Sequence, residues 1–298
     1  MLALLPVLID GVVYSAYLFV IAVGLTLIYG VMKILNIAHG GLYALGAYVA
    51  ATLVAAWFAA GLNPYLSFGL LLVAAALVGL AVGPLIERGL LRFLYGQDEV
   101  VLLLVTYAVF LILEDVIKLI WGVESLSAWQ PYALLGNFEL AGLTYTVYDA
   151  LLVVAAIVVG VVLTWALTGT RHGKLLLAVI HDREISAAMG IDVGRFYLVT
   201  FTLGTTLAAL GGALIAPKVS VVPAMGVEVI VLAFAVVVIG GLGSLAGAAL
   251  GALIVGLVRS LAVHYMPEVE LFSVYLVMAL VLIVRPKGLF AAPEARRI

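Results

Sequence analysis

From Ile34 to Ile86 the chain carries no Asp, Glu, Lys or Arg. A soluble fold cannot hide that much uncharged chain, whereas a helix crossing a bilayer needs about 20 consecutive apolar residues. The stretch is therefore read as two crossings, parted at Gly61-Leu62-Asn63-Pro64. Across all 298 residues, 66% are hydrophobic and only 10% are Asp, Glu, Lys or Arg, whereas an ordinary soluble domain is about 25% charged. Soluble enzymes, disordered chains and coiled coils are excluded on this ground. No basic patch marks a nucleic-acid partner. The lack of cysteine removes disulfides, thiolate metal sites and cysteine nucleophiles. Met1 to Pro6 holds no basic residue, and the apolar run continues through Asp10 to Tyr29. That exceeds the apolar core of a signal peptide, so the first segment is expected to stay in the protein.

Hydropathy places segments near 7–31, 38–60, 65–87, 99–121, 148–169, 196–216, 227–240, 246–263 and 270–285. The 227–240 piece is short for a crossing and, with 246–263, reads equally as a broken or re-entrant pair. The apolar runs exceed a barrel strand and lack its alternation. The expected fold is an all-α polytopic bundle of eight to ten segments, one membrane domain over residues 1–298. With nine segments, Lys33, Arg88, Arg92, Arg171, Lys174, Arg183, Arg195, Arg285, Lys287, Arg296 and Arg297 share one side. Lys and Arg mark the cytoplasmic side, so the N-terminus is expected outside and the C-terminus inside. Glu124, Glu139, Glu268 and Glu270 fall on the other side.

Two connections are long. The outer one, Gly122 to Val147, is acidic and carries Trp129, Tyr132 and Tyr145, which suit the membrane interface or a docking surface. The inner one, within 170–195, keeps apolar and small residues at helical spacing among its charges: Ile180, Ala187, Ala188 and Ile191, with Gly190 as a helix stop. It reads either as a connector lying on the membrane surface or as a docking helix for a soluble subunit. Gly169-Thr170-Arg171-His172-Gly173-Lys174 imitates a phosphate loop but has three residues between the glycines and Leu175 after the lysine, so it lacks the hydroxyl that such a loop gives to Mg²⁺. ATP, if used, is hydrolysed on another subunit.

Many glycines fall inside the segments. Gly79/Gly83, Gly243/Gly247 and Gly247/Gly251 have the four-residue spacing that lets helix backbones approach. Two clusters, Asn36 to Ala47 and Gly240 to Ala248, are expected to interrupt helices, and in transporters such breaks point to the route of the solute. Asn36 is placed to cap the second helix. His39 reads as a hydrogen-bonded structural histidine or a pathway residue. Glu114 and Lys118 have ion-pair spacing, and Lys218 and Arg259 are read as snorkelling cations. No cluster suits a metal.

Gly24-Leu25-Thr26-Leu27-Ile28-Tyr29-Gly30, leading into Lys33-Ile34-Leu35-Asn36-Ile37-Ala38-His39-Gly40, strongly resembles the LivH-type permeases of bacterial importers for branched-chain amino acids. So do Ala187 to Asp192, Gly240 to Gly247, and the tail Arg285-Pro286-Lys287-Gly288-Leu289-Phe290. Glu114 and Asp115 depart from the amide or apolar residues expected there, which bears on the ligand and not on the family. The resemblance implies a subunit of an ATP-driven importer in a bacterial or archaeal plasma membrane, working by alternating access, without cofactor, metal or catalytic residue of its own. Its implied partners are a second, related permease, two cytoplasmic ATPases, a periplasmic binding protein and the membrane lipid. Residues expected to shape the route are Asn36, His39, Gly40, Gly41, Thr106, Gly241, Gly243 and Ser244. Arg183, Glu184, Ala187, Ala188 and Gly190 are expected to couple to the ATPases. The competing readings are a related permease for another amino acid, an amide, urea or a sugar, and an ion-driven secondary transporter built around Glu114 and Asp115.

Overall fold

Twelve α-helices and one short hairpin make up most of residues 4–140 and 142–290, the part of the chain that the computed structural model describes. Arg296 and Arg297 lie outside these residues. In order come α1 (Leu4–Met32), α2 (Ala38–Ala59), α3 (Ser67–Gly89), α4 (Glu99–Trp121) and α5 (Gln130–Leu134). Strands β1 (Asn137–Leu140) and β2 (Leu143–Thr146) pair antiparallel, and α6 (Val147–Gly169) follows. Then come α7 (Arg171–His181), α8 (Arg183–Ala188), α9 (Val193–Ile215), α10 (Met225–Gly240), α11 (Leu245–Tyr265) and α12 (Glu270–Val284).

Eight of these helices, some lengthened by an adjoining 3₁₀ turn, are long and apolar enough to cross a membrane: α1, α2, α3, α4, α6, α9, α11 and α12. The ninth expected segment is α10, with 16 residues. At 1.5 Å per residue it spans about 24 Å, short of a hydrocarbon core of about 30 Å. A non-helical stretch joins α9 to α10, and its Val221 pairs with Leu126 of the 122–146 connection.

Contacts among the connections define two ends. At one, Gly243 lies against Gly30, the backbone of Leu289 and Phe290 bonds to the last turn of α10, and Tyr95 meets Tyr197 edge-on at 5.0 Å. This is the basic end, carrying Arg88, Arg171, Arg183 and Arg195. At the opposite end Lys218 reaches Asp149 at 2.6 Å, and His264 Nε2 lies 3.4 Å from Asp10.

The hub is α9, packed against α1, α2 and α3 through residues with little or no side chain. A Cβ on Gly46 would lie 2.3 Å from the carbonyl oxygen of Ala209, and one on Gly212 would lie 1.9 Å from that of Tyr43. Gly79 and Gly83 of α3 seat Thr206, Thr202 and Thr205 of α9 in the same way. Gly247 meets Gly240, and Gly251 meets Val236 across the α10–α11 pair. Lipid gives helices no hydrophobic push together, so close backbone approach and its dispersion energy hold such a hub.

The glycine clusters do not act alike. Gly40, Gly41 and Gly46 sit within an unbroken α2, so the expected interruption at Asn36 to Ala47 holds only at its start: the break covers 33–37 and takes in Asn36 and Ile37, not the glycines. Lys33 adopts a left-handed conformation with φ of 57°, ends α1 and starts a non-helical run that leads back along it. The second cluster does break the chain. Gly241 and Gly243, with φ of 104° and 83°, make the tight turn between α10 and α11.

Candidate functional site

The expected route residues form two groups that the fold keeps apart. The first surrounds the start of α2, where Asn36 and His39 are completely buried. The hydroxyl of Thr106, on α4, accepts from the Ile37 N–H at 3.2 Å and faces the carbonyl oxygens of Leu35 and Leu103 at 3.2 and 3.0 Å. It thus pins the run between α1 and α2. Asn36 does not cap α2: its side-chain oxygen and nitrogen have no hydrogen-bond partner among the described residues. The chain enters α2 through a helical turn at Ile37, so carbonyls take the first donors. Asn36 O accepts from His39 N–H at 3.3 Å, and Ile37 O from Gly40 N–H at 3.2 Å. His39 donates from Nε2 to Ile21 O at 2.9 Å, which leaves Nδ1 an acceptor without a partner among the described residues. Gly40 touches Gly226, where an added Cβ would lie 2.4 Å from the carbonyl oxygen. The first turns of α2 and α10 therefore meet backbone to backbone. Gly41 faces Leu113.

The second group, Gly241, Gly243 and Ser244, lies at the basic end. Ser244 caps α11, accepting from Gly247 N–H at 3.0 Å. The tail closes over the turn: Leu289 N–H donates to Ile239 O at 3.0 Å and Phe290 N–H to Gly240 O at 2.8 Å. The two motifs thus satisfy each other's backbone groups, since the last carbonyls of a helix need donors from outside it.

A cavity of about 700 Å³ opens elsewhere, and none of the eight expected residues lines it. It runs from the end marked by Asp10, Lys218 and His264 to Tyr43 and Leu232 inside the bundle. Its polar wall is a chain of side chains. Tyr17 and Tyr43 share a hydroxyl hydrogen bond of 3.0 Å, Tyr14 meets Tyr17 edge-on at 5.5 Å, and the Arg259 guanidinium lies over the Tyr14 ring at 3.9 Å. Arg259 is ion-paired to Glu270 through Nε and Nη2. Glu228 lines the same cavity without an ion-pair partner among the described residues. Leu152, Met225, Val229 and Leu232 supply apolar wall. The mild reading of Arg259 and Lys218 as snorkelling cations is extended: each is a half-exposed cation that holds a carboxylate, Glu270 and Asp149, and each lines the cavity. A signal was present, since an arginine inside an apolar helix is a functional hypothesis by default, as was the Tyr14/Tyr17 pair three residues apart on one helix face.

At the basic end the expected single helix is two. Thr170 caps α7 and Asp182 caps α8, accepting from Gly173 N–H at 3.0 Å and Ile185 N–H at 2.9 Å. Gly173 presses α7 against α6, where a Cβ would lie 2.0 Å from Ala166 O. In α8 only Ser186 is buried. Glu184, Ala187 and Ala188 are exposed, as are the flanking apolar Ile185 and Met189, 60% and 78% accessible. Gly190, with φ of 83°, follows directly. Arg183 lies over the Tyr197 ring at 5.5 Å, and Tyr197 stands against Tyr95, whose hydroxyl donates to the buried Glu87. Burial, then the Glu87 contact, raises the Tyr95 hydroxyl above its ordinary range.

The chain matches, over residues 7–284, the family described as branched-chain amino acid transport system / permease component. It is 28% identical to the high-affinity branched-chain amino acid transport system permease protein LivH of Escherichia coli K12, covering 97% of this chain and 96% of that one. It is 32% identical to the probable branched-chain amino acid transport permease protein LivH of Methanocaldococcus jannaschii, over 94% and 90% of the two chains. A shorter match, 33% identical over half of this chain and 41% of the relative, is to the fructose import permease protein FrcC of Rhizobium meliloti. With its bundle of membrane-length helices, the chain belongs to the LivH-type branched-chain amino acid permease family and is a multi-pass plasma-membrane permease subunit of an ABC importer.

Proposed function

We propose that this subunit passes branched-chain amino acids into the cell by alternating access, with ATP hydrolysed on two partner subunits that dock at α8. The observation that carries the docking is α8 itself. It is a short, capped helix whose apolar Ile185 and Met189 face outward at the basic end. Apolar residues exposed on a connection between membrane helices fit a protein partner better than water. The basic end faces the cytoplasm, because Lys and Arg concentrate there. A second, related permease completes the pore, and a periplasmic binding protein delivers the amino acid at the opposite end, where the cavity opens. The amino-acid cargo of the LivH relatives supports this reading, and it suits a cavity with apolar walls and a few charged groups. The fructose permease match supports a sugar as the second reading, over a smaller part of the chain. The ion-driven reading loses ground, since Glu114 is paired to Lys118 at 2.8 Å and Asp115 is 75% exposed.

The importer, copurified with its partners and reconstituted with ATP inside the vesicles, tests both parts. Leucine, isoleucine and valine are expected to enter in preference to fructose; fructose uptake instead would replace the cargo. Glu184→Lys combined with Ala187→Leu and Ala188→Leu should cut uptake about tenfold or more while the ATP spent per amino acid rises. Unchanged coupling would remove α8 from the ATPase contact.

A further inference from the structure

The Arg259 guanidinium is held as a half-used fork. Glu270 occupies the Nε–Nη2 edge, the Tyr14 ring covers a face, and the Nη1 side has no partner among the described residues. An arginine presents five donors in a fixed plane and can take two carboxylates side by side. Here the plane is already oriented, so little side-chain entropy is lost when a second carboxylate arrives. The Arg259–Glu270 pair is neutral overall, so an arriving anion still needs a positive charge of its own to balance it. Glu228, unpaired on the same cavity wall, supplies the complementary partner for such a charge. An α-amino acid carries both charges on one carbon and an apolar side chain beyond them. Leu152, Met225, Val229 and Leu232 offer that side chain its wall.

We infer that this cavity is a binding site for the zwitterionic head of an α-amino acid, with the carboxylate on the outer edge of Arg259 and the ammonium toward Glu228. The inference rests on the amino-acid reading above and adds the residues that hold the cargo within the permease. It also accounts for the half-buried Arg259 and Glu270 and the exposed Glu228 on the wall of a cavity within an otherwise apolar bundle, where charge is costly and is kept for a use. The cavity volume lies within the span of about 300–1,000 Å³ usual for small-molecule sites.

The test is ATP-driven uptake of leucine by the complete importer, with its binding protein, for Arg259→Gln, Arg259→Lys, Glu270→Gln and Glu228→Gln. Arg259→Gln is expected to lower uptake about tenfold or more, the usual loss for a charge-assisted hydrogen bond. Arg259→Lys should recover part of it, and Glu270→Gln should lose less than Arg259→Gln because the outer edge stays in place. Glu228→Gln, which breaks no hydrogen bond or ion pair among the described residues, should lower uptake severalfold and raise the ATP spent per leucine. Equal losses in Arg259→Gln and Glu270→Gln would mean that the pair merely joins α11 to α12, and would overturn the inference. Unchanged uptake in Glu228→Gln would overturn it too, and decides the matter if Arg259→Gln fails to assemble. If the unaltered importer takes up fructose and no amino acid, the cargo reading falls first; if it takes up leucine regardless of Glu228, only the site falls.

Discussion

The helices α9 and α6 both have 23 residues and are both apolar enough to span a bilayer, yet their surroundings are opposite. In its most apolar stretch α9 buries 67% of residues and α6 only 11%. The same contrast separates α1, 72% buried, from α12, 6% buried. Hydrophobicity does not explain it, for α6 is the more apolar of its pair. Residue size does. The buried helices place glycine at their contacts: Gly24 and Gly204 meet each other, and Gly46 and Gly212 meet backbone. By contrast α12 has no glycine at all, and Val161 and Trp165 of α6 project outward, 62% and 65% accessible. In a membrane the apolar residue is at home on the surface, and the small one marks the interior. A rigid hub of α1, α2, α3 and α9 thus stands beside peripheral helices free to face lipid or a second permease.

The largest effect should come from filling the hub. Gly46→Leu or Gly212→Leu would drive a side chain into backbone, which cannot yield as a flexible side chain can. Overpacking of a tight core costs about 1–3 kcal/mol and at times more, and these two sites are expected at the upper end. Thermal unfolding of the purified subunit in detergent, with the yield of assembled importer, measures it. Val161→Phe on α6 is the control and should stay within about 0.5 kcal/mol, as surface substitutions do. Similar losses at hub and periphery would break the comparison.

The next effect lies where the hub meets α8. Glu87 is only 2% exposed and is held by the Tyr95 hydroxyl, so Tyr95→Phe would leave a buried carboxylate without that donor. The cost of such a loss is about 1–3 kcal/mol. The raised Tyr95 hydroxyl gives the pH dependence its sign. The folded state keeps the proton longer than the unfolded chain, whose tyrosine titrates near 10, so the contribution is full below that pH and fades above it. The stability gap between the parent and Tyr95→Phe should therefore be constant from about pH 6 to 9. A gap that closes within that range would remove this contact as its source.

Much of this contrast was legible in the sequence, and the rest was hidden for physical reasons. Apolar run length located all nine segments, because the bilayer sets a length that composition must meet. The glycine spacings of Gly79/Gly83 and Gly247/Gly251 announced close packing correctly. What they could not announce was the partner helix, which depends on how α9 threads between α1, α2 and α3. Asn36 was misread as a cap because a capping residue is defined by local backbone conformation, and the turn at Ile37 made one unnecessary. The second glycine cluster and the tail motif were both visible, yet that each closes the other's backbone required their contact in space. The cavity was overlooked for the opposite reason. In the sequence Arg259 and Lys218 stand out one at a time, as isolated cations, and only convergence of Tyr14, Glu228, Arg259 and Glu270 from four helices gives them a shared chemistry. Polarity beside glycine drew attention instead to Asn36 and His39, which are buried and do not line it.

A smaller loss is expected at the closure of the basic end. Gly288, with φ of 80°, backs onto Gly241, and an added Cβ would lie 2.6 Å from its Cα. Gly288→Ala is strained by both conformation and contact, at a cost of about 1–2 kcal/mol. Faster amide exchange at Leu289 and Phe290, which bond to the end of α10, would show the tail released; unchanged exchange would show that the turn closes without it.

The smallest effect should be found at Glu114 and Asp115, on the outward part of α4. Glu114 is tied to Lys118 one helical turn away, and Asp115 is largely exposed, so neither belongs to the hub or lines the cavity. Pairs of this spacing add little to a helix. Glu114→Gln and Asp115→Asn should leave ATP-driven uptake unchanged in the reconstituted importer, and a proton or sodium gradient should not replace ATP. Loss of uptake in Glu114→Gln, together with uptake driven by an ion gradient, would move function from the cavity to this pair. The periphery would then hold the working charge, and the division between hub and periphery would have to be redrawn.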